Sequence, residues 1–209
     1  MMFIIYRKMM IVIQDVNFAQ ESAMKVSREQ AQQNREKVVA AAARLFRERG
    51  IDGVGVAEVM NSAGLTHGGF YGQFGSKEEL VAEACAWAFD RSVAKWKRVA
   101  GAHAQGGVRA IADFYLAPEH RDRPAAGCAA AALAGDMARE GTHARQAFTQ
   151  GVRELVDVLA AAVPEGSTTQ RRREALATFS MMVGAIILAR GVDDPDLADE
   201  ILVAARKKV

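Results

Sequence analysis

His67 and Tyr71 stand four residues apart in this 209-residue chain, and so do Phe70 and Phe74. On a helix such pairs stack along one face, so the two phenylalanines can bury while the imidazole and phenol stay outside. Those outer groups can donate and accept hydrogen bonds. Gly68, Gly69 and Gly72 lie among them, and glycine lets another surface approach the backbone closely. Just downstream, Ser76 and Glu79 have the S-x-x-E spacing of a capping box. Lys77 would then sit at the positive end of a helix dipole, an unfavourable place for a cation unless an anion is near. Free N–H groups with a lysine suit a phosphate. A solvated surface lysine is the plainer reading.

The remaining reactive side chains do not assemble a catalytic pattern. His67, His103, His120 and His143 are far apart, and none has an i, i+4 metal-type partner. No G-x-S-x-G, P-loop or G-x-G-x-x-G occurs. The expectation is a protein that is not an enzyme and holds no metal or cofactor. Glu119-His120-Arg121-Asp122 reads as a solvated loop. Cys128 follows Gly127 and falls near the first turn of a helix, where a thiolate is favoured and could react with electrophiles. The alternative is a small buried residue, as Cys85 between two alanines also suggests. Two distant cysteines without a secretory leader read as reduced thiols in a cytoplasm.

The elements that would position these residues are helical. The net charge of +2 excludes a polybasic, histone-like protein but leaves room for a local basic patch. Half the residues are hydrophobic, which excludes a disordered chain, and 25% are charged, which excludes a membrane protein. Only four prolines and abundant alanine favour helix, and no alternating β-branched run is present. Met1 to Ile13 is apolar but cut by Arg7 and Lys8. Residues 1–27 are therefore expected to be a flexible N-terminal extension; a short arm packed on the first unit is the alternative. Val38, Ala42, Leu45 and Phe46 then share a helical face, with Arg35, Arg47 and Arg49 off it, and Gly50 ends the helix. A second helix turns Val56, Val59, Met60 and Ala63 inward. Thr66 is placed to cap a third helix, His67 to Phe74, whose glycines each cost about 1 kcal/mol relative to alanine. A poorly formed loop is the alternative there.

Residues 56–80 resemble the helix-turn-helix signature of the TetR/AcrR transcriptional regulators. The likeness rests on Ala63-Gly64-Leu65-Thr66, Gly68-Gly69-Phe70-Tyr71-Gly72-Gln73-Phe74 and Ser76-Lys77-Glu78-Glu79-Leu80, with Ala43-Arg-Leu-Phe-Arg-Glu-Arg-Gly50 before them. It implies an all-α fold, with a three-helix DNA-binding domain over residues 28–76 and a helical ligand-binding and dimerisation domain over 77–209. It also implies a homodimeric, cytoplasmic repressor released from a palindromic operator by a small apolar or electrophilic molecule. By this likeness Thr66, His67, Gly68, Gly69, Tyr71, Gln73 and Lys77 match DNA-contacting positions. Gly55 stands where the family often has a capping Thr or Ser, so one phosphate contact is expected to be lost. Glycine at base-facing positions implies few direct base contacts. A helical protein-binding module that has lost DNA affinity is the other reading.

The second half carries less signal. Helices are expected over Val108–Leu116, from Cys128 to about Glu140, and over Thr142–Val163, with a polar loop at Pro118–Pro124. Trp96, Phe114, Cys128 and Phe148 are candidate effector contacts. Ala175 to Ala189 is an uncharged run of fifteen residues, short of the roughly 20 that span a bilayer, so it is expected to be buried in protein rather than membrane. Asp194 and Pro195 cap a final helix ending in Arg206-Lys207-Lys208. Pairing of the last two helices across a two-fold axis would make a four-helix dimer interface. A monomeric core helix is the alternative.

Overall fold

The computed structural model describes residues 27–103 and 106–209. The extension expected at residues 1–27 lies, apart from Ser27, outside the described residues. Among those described, the secondary structure is helical with no strand. Helix α1 is described over residues 27–49, and α2 spans Val56–Ser62. A single 3₁₀ turn, His67–Gly69, follows. Then come α3 (Lys77–Gly101), α4 (Gly107–Tyr115), α5 (Pro118–Asp122), α6 (Ala129–Met137), α7 (Thr142–Ala162), α8 (Thr168–Gly191) and α9 (Pro195–Lys208).

Local chemistry sets most boundaries. Gly50 adopts φ +77° and donates its N–H to the Phe46 carbonyl, ending α1 in the left-handed turn that glycine tolerates. Ser167 and Gln170 form a reciprocal capping box at the start of α8. The Asp194 carboxylate accepts from the Asp196 and Leu197 N–H groups ahead of α9, with Pro195 in the first turn. One buried core runs from Val38 and Phe46 of α1 through Leu80 and Ala84 of α3 to Leu202 of α9.

Four sequence expectations change. The third helix is only a 3₁₀ turn followed by a second turn closed by Phe74 N–H to the Phe70 carbonyl, as the glycine content demands. Thr66 precedes it without a side-chain cap bond. The loop expected at 118–124 is instead α5, started by Pro118, and a 3₁₀ turn at Pro124–Ala126. Arg47, expected on the outer face of α1, is buried because the 125–127 turn packs across that flank.

α8 is the one helix among the described residues long and apolar enough to cross a membrane. Phe179, Met182 and Ile186 bury it against the core, but Leu176, Ile187 and Leu188 are exposed, with Leu188 at 59%. The run is thus buried along one face only. Leu197 and Val203 of α9 are exposed as well.

α3 and α7 are in close contact because Gly151 of α7 meets Phe89 of α3. A β-carbon at Gly151 would overlap the Phe89 ring, which also packs edge-on against Phe148 at 5.4 Å. Gly151→Ala should therefore destabilise the protein by about 1–3 kcal/mol, read as a lower urea midpoint with an unchanged slope.

Candidate nucleic-acid interface and effector site

Burial of two rings builds the presenting turn. Phe70 and Phe74 are each 1% exposed, and their rings stack with centroids 5.5 Å apart. The Arg35 guanidinium of α1 lies 4.2 Å over the Phe74 ring. It pairs with Glu79 at 2.9 Å and with Glu83, both on α3. Ser76 Oγ accepts the Glu79 N–H at 3.1 Å, while Glu79 Oε2 accepts from Gly75 N–H at 2.8 Å. Only half of the expected capping box forms, since the return bond goes to Gly75 rather than Ser76. The Gly75 N–H and then Arg35 hold the Glu79 carboxyl below its usual range.

On the outer side, Tyr71 is 73% exposed, with its ring edge-on to Phe70. Thr66, His67 and Gly68 are exposed; Gly69 and Gln73 are half-buried, and Gly69 lies against Met60. Six of the seven candidate DNA contacts therefore come from one turn. Lys77 differs: its Nζ donates to the Ile51 carbonyl at 2.8 Å, so that carbonyl accounts for the cation at the start of α3 without an external anion. α2 begins at Gly55 with no side-chain cap. Sequence reasoning missed the contacts that tie the end of α1 to the second half. Arg47 Nε donates to the Ala125 carbonyl at 3.0 Å, and Ile51 N–H donates to Asp136 Oδ2 at 3.1 Å. Their partners lie about 80 residues downstream, and no local spacing signals them.

Three of the four candidate effector contacts, Trp96, Phe114 and Cys128, line one small cavity of about 40 Å³. Phe148 does not join them and packs on Phe89 instead. A larger crevice, about 1010 Å³, opens between α3, α4 and α7 and is lined by Val93, Lys97, His103, Glu154, Asp157 and Val158 among others. Small residues such as Ala161 and Ala162 leave that space open, and nothing in their spacing advertises it.

Residues 38–84 match the family model described as bacterial regulatory proteins of the tetR family. The match spans the helix-turn-helix segment, from α1 into the first turns of α3. An uncharacterized HTH-type transcriptional regulator, YerO of Bacillus subtilis (strain 168), is 30% identical over 67 residues, which is 32% of this chain and 23% of that relative's length. Reduced NemR of E. coli has a TM-score of 0.70 at 19% identity, covering 84% of this chain and 94% of that one. TetR-family regulators from Agrobacterium tumefaciens and Chloroflexus aurantiacus both reach a TM-score of 0.71, at 18% and 24% identity, each over 86% of this chain and over 98% and 95% of their own. These likenesses establish the all-α TetR fold, with its N-terminal helix-turn-helix unit and helical second unit. YerO and the Agrobacterium and Chloroflexus proteins bear the name of transcriptional regulators.

The segment around His120 is a short helix rather than the solvated loop expected from its charges, with His120 half-buried while Glu119 and Asp122 stay exposed. His120 Nδ1 lies 2.7 Å from the Tyr115 carbonyl and is assigned its proton; Nε2 accepts the Cys128 N–H at 2.9 Å. Cys128 precedes α6 and is 4% exposed. Burial pushes its thiol up despite N–H groups of Ala130 and Ala131 that favour the thiolate, and pushes Cys85 up to about 12. The structure thus favours the packing reading of Cys128 over a reactive thiolate.

Burial is also the main cause that lowers His120 to about 4, from 6.5. A base with a depressed folded pKa takes up protons first in the unfolded chain. Its contribution is intact above pH 6.5 and lost as pH falls towards 4. The melting temperature should drop across that window, and His120→Gln, which cannot titrate, should flatten the drop.

Proposed function

We propose that this chain is a TetR-family, homodimeric, DNA-binding transcriptional repressor, released from a palindromic operator by a small apolar molecule. In this reading residues 28–76 bind DNA, residues 77–209 bind effector and dimerise, and the protein works in the cytoplasm. The observation that carries it is the exposed Tyr71 and His67 seated over the buried Phe70 and Phe74. The turn enters the major groove with Thr66, His67, Gly68, Gly69, Tyr71 and Gln73, and Lys77 braces its base through Ile51. His67 is the main polar base-facing side chain, so backbone approach and DNA shape carry much of the specificity. The exposed leucines, isoleucine and valine of α8 and α9 supply the two-fold contact.

The crevice between α3, α4 and α7 is the effector cavity in this proposal, with volume in the range of small-molecule sites. α3 runs from the presenting turn to that crevice, so a ligand that tilts it moves the turn. Two turns must meet half-sites about 34 Å apart, so a small tilt breaks the register. The ligand acts only if it binds the off-DNA form better. The buried Cys128 gives no support to an electrophilic effector. The reading as a protein-binding module draws on the three-residue recognition element, and the same experiment separates the two.

A mobility shift on the DNA flanking the gene should give a discrete complex. Tyr71→Ala should abolish it while leaving the dimer intact; wild-type affinity in that variant would refute the presenting face. Leu188→Glu should convert the dimer to monomer in sedimentation analysis and weaken DNA binding with it. A wild-type chain that sediments as a monomer and shifts no DNA would favour the protein-binding reading.

A further inference from the structure

A second crevice, about 660 Å³, lies between α1, α3 and the 125–127 turn. Its lining includes Arg44, Arg47, Arg91, Lys95 and Arg98 and no carboxylate. We infer that this crevice binds a small, multiply charged anion of the phosphate or polycarboxylate class.

The charge there is uncompensated. Of the five cations only Arg44 has an ion-pair partner among the described residues, Glu48 at 3.4 Å on the outer side of α1. Arg91 lies 4.5 Å over the Trp87 ring and Lys95 lies 4.2 Å over the Phe114 ring. Aromatic faces, not anions, hold those two side chains. Positions 87, 91, 95 and 98 recur along one face of α3, so three cations project together.

Arg47 is the second observation. It is 8% exposed, and both its Nε and Nη2 donate to the one Ala125 carbonyl. A buried guanidinium without a carboxylate is costly. Burial, with Arg91 adding to it, lowers Arg47 to about 10, so it stays charged at neutral pH. An anion in the crevice would supply the missing charge, and a guanidinium matches phosphate or carboxylate oxygens two at a time.

A separate small cavity beside the crevice holds a polar group without a partner. The 40 Å³ cavity shares Ser92, Lys95, Ala126 and Gly127 with it. Tyr115 lines that cavity at 1% exposure, and its hydroxyl has no hydrogen-bond partner among the described residues. Its polar neighbour is the Cys128 thiol, a weak donor that interacts with it but lies outside ordinary hydrogen-bond geometry.

The crevice is not an extension of the DNA face. At 1.5 Å per residue, Arg91 and Arg98 lie about 21 and 31 Å along α3 from Lys77. An anion seated there would touch α1, α3 and the turn before α6 at once. Any effect on operator affinity rests on the proposed repressor function; the binding itself does not.

The test is thermal unfolding and calorimetry of the full chain, without DNA, in sodium pyrophosphate, citrate or chloride at matched ionic strength. Pyrophosphate or citrate should raise the melting temperature by several degrees beyond chloride, and the tighter of the two names the class. Arg91→Gln, Lys95→Gln and Arg98→Gln together change exposed residues. They should weaken binding at least tenfold with little change in ligand-free stability, since relief of like-charge repulsion offsets the loss of two cation–π contacts. Arg145→Gln with Arg153→Gln, on α7, should leave binding unchanged. A shift no larger than that of chloride, or full affinity in the triple variant, would overturn the assignment. Because no DNA is present, these outcomes are independent of whether the chain binds an operator.

Discussion

The stacked Phe70 and Phe74 rings, roofed by the Arg35 guanidinium, are the contact on which the presenting turn depends. Gly68, Gly69 and Gly72 would each oppose helix by about 1 kcal/mol, and a segment that short does not nucleate alone. Burying a phenylalanine side chain returns about 1.5–3 kcal/mol. The two rings are therefore enough to hold a turn but not to complete a helix, and a 3₁₀ turn with a following turn is the outcome. Arg35 adds a tie to α3 through Glu79 and Glu83. That arrangement leaves Tyr71 and His67 outside with their polar groups free for a partner surface.

The end of α1 is the joint of the molecule. Arg47 holds Ala125, Ile51 holds Asp136, and Lys77 holds Ile51. These bonds run between the turn-bearing elements, the start of α3 and the flanks of α6. Under the proposed function, a change in α3 or near α6 would reach the base of the turn through these bonds. In that proposal a few direct hydrogen bonds would carry the coupling, and the effector would bias the arrangement they join.

Two features of the isolated subunit are unbalanced, and each points outward. The face of α8 and α9 with Leu188 and Leu197 leaves apolar surface in water. The crevice beside Arg47 leaves cations without anions. A second copy of the chain would bury the first, and a small anion would neutralise the second. Hydrophobic area and buried charge have different remedies, which is why the two surfaces are read as sites for different partners.

Periodicity and capping chemistry were enough to mark α1, α2, α7 and α9, the Phe70/Phe74 pin and the outward Tyr71, because those depend on residues within four positions of one another. The Asp194 cap and Gly50 stop are legible for the same reason. Composition could not reveal that Arg47 is buried and His120 half-buried, since their partners are a distant carbonyl and a distant N–H. Nor could spacing place Phe148 away from Trp96, because Gly151 lets α3 and α7 approach and seats Phe148 on Phe89. Helix-start position argued for a thiolate at Cys128, and burial reversed it. Local rules thus determined the elements and the presenting turn, while chain-distant packing alone decided which charges are buried, which cavities open and that both cysteines are covered, because burial is a property of what covers a residue and not of its neighbours in sequence.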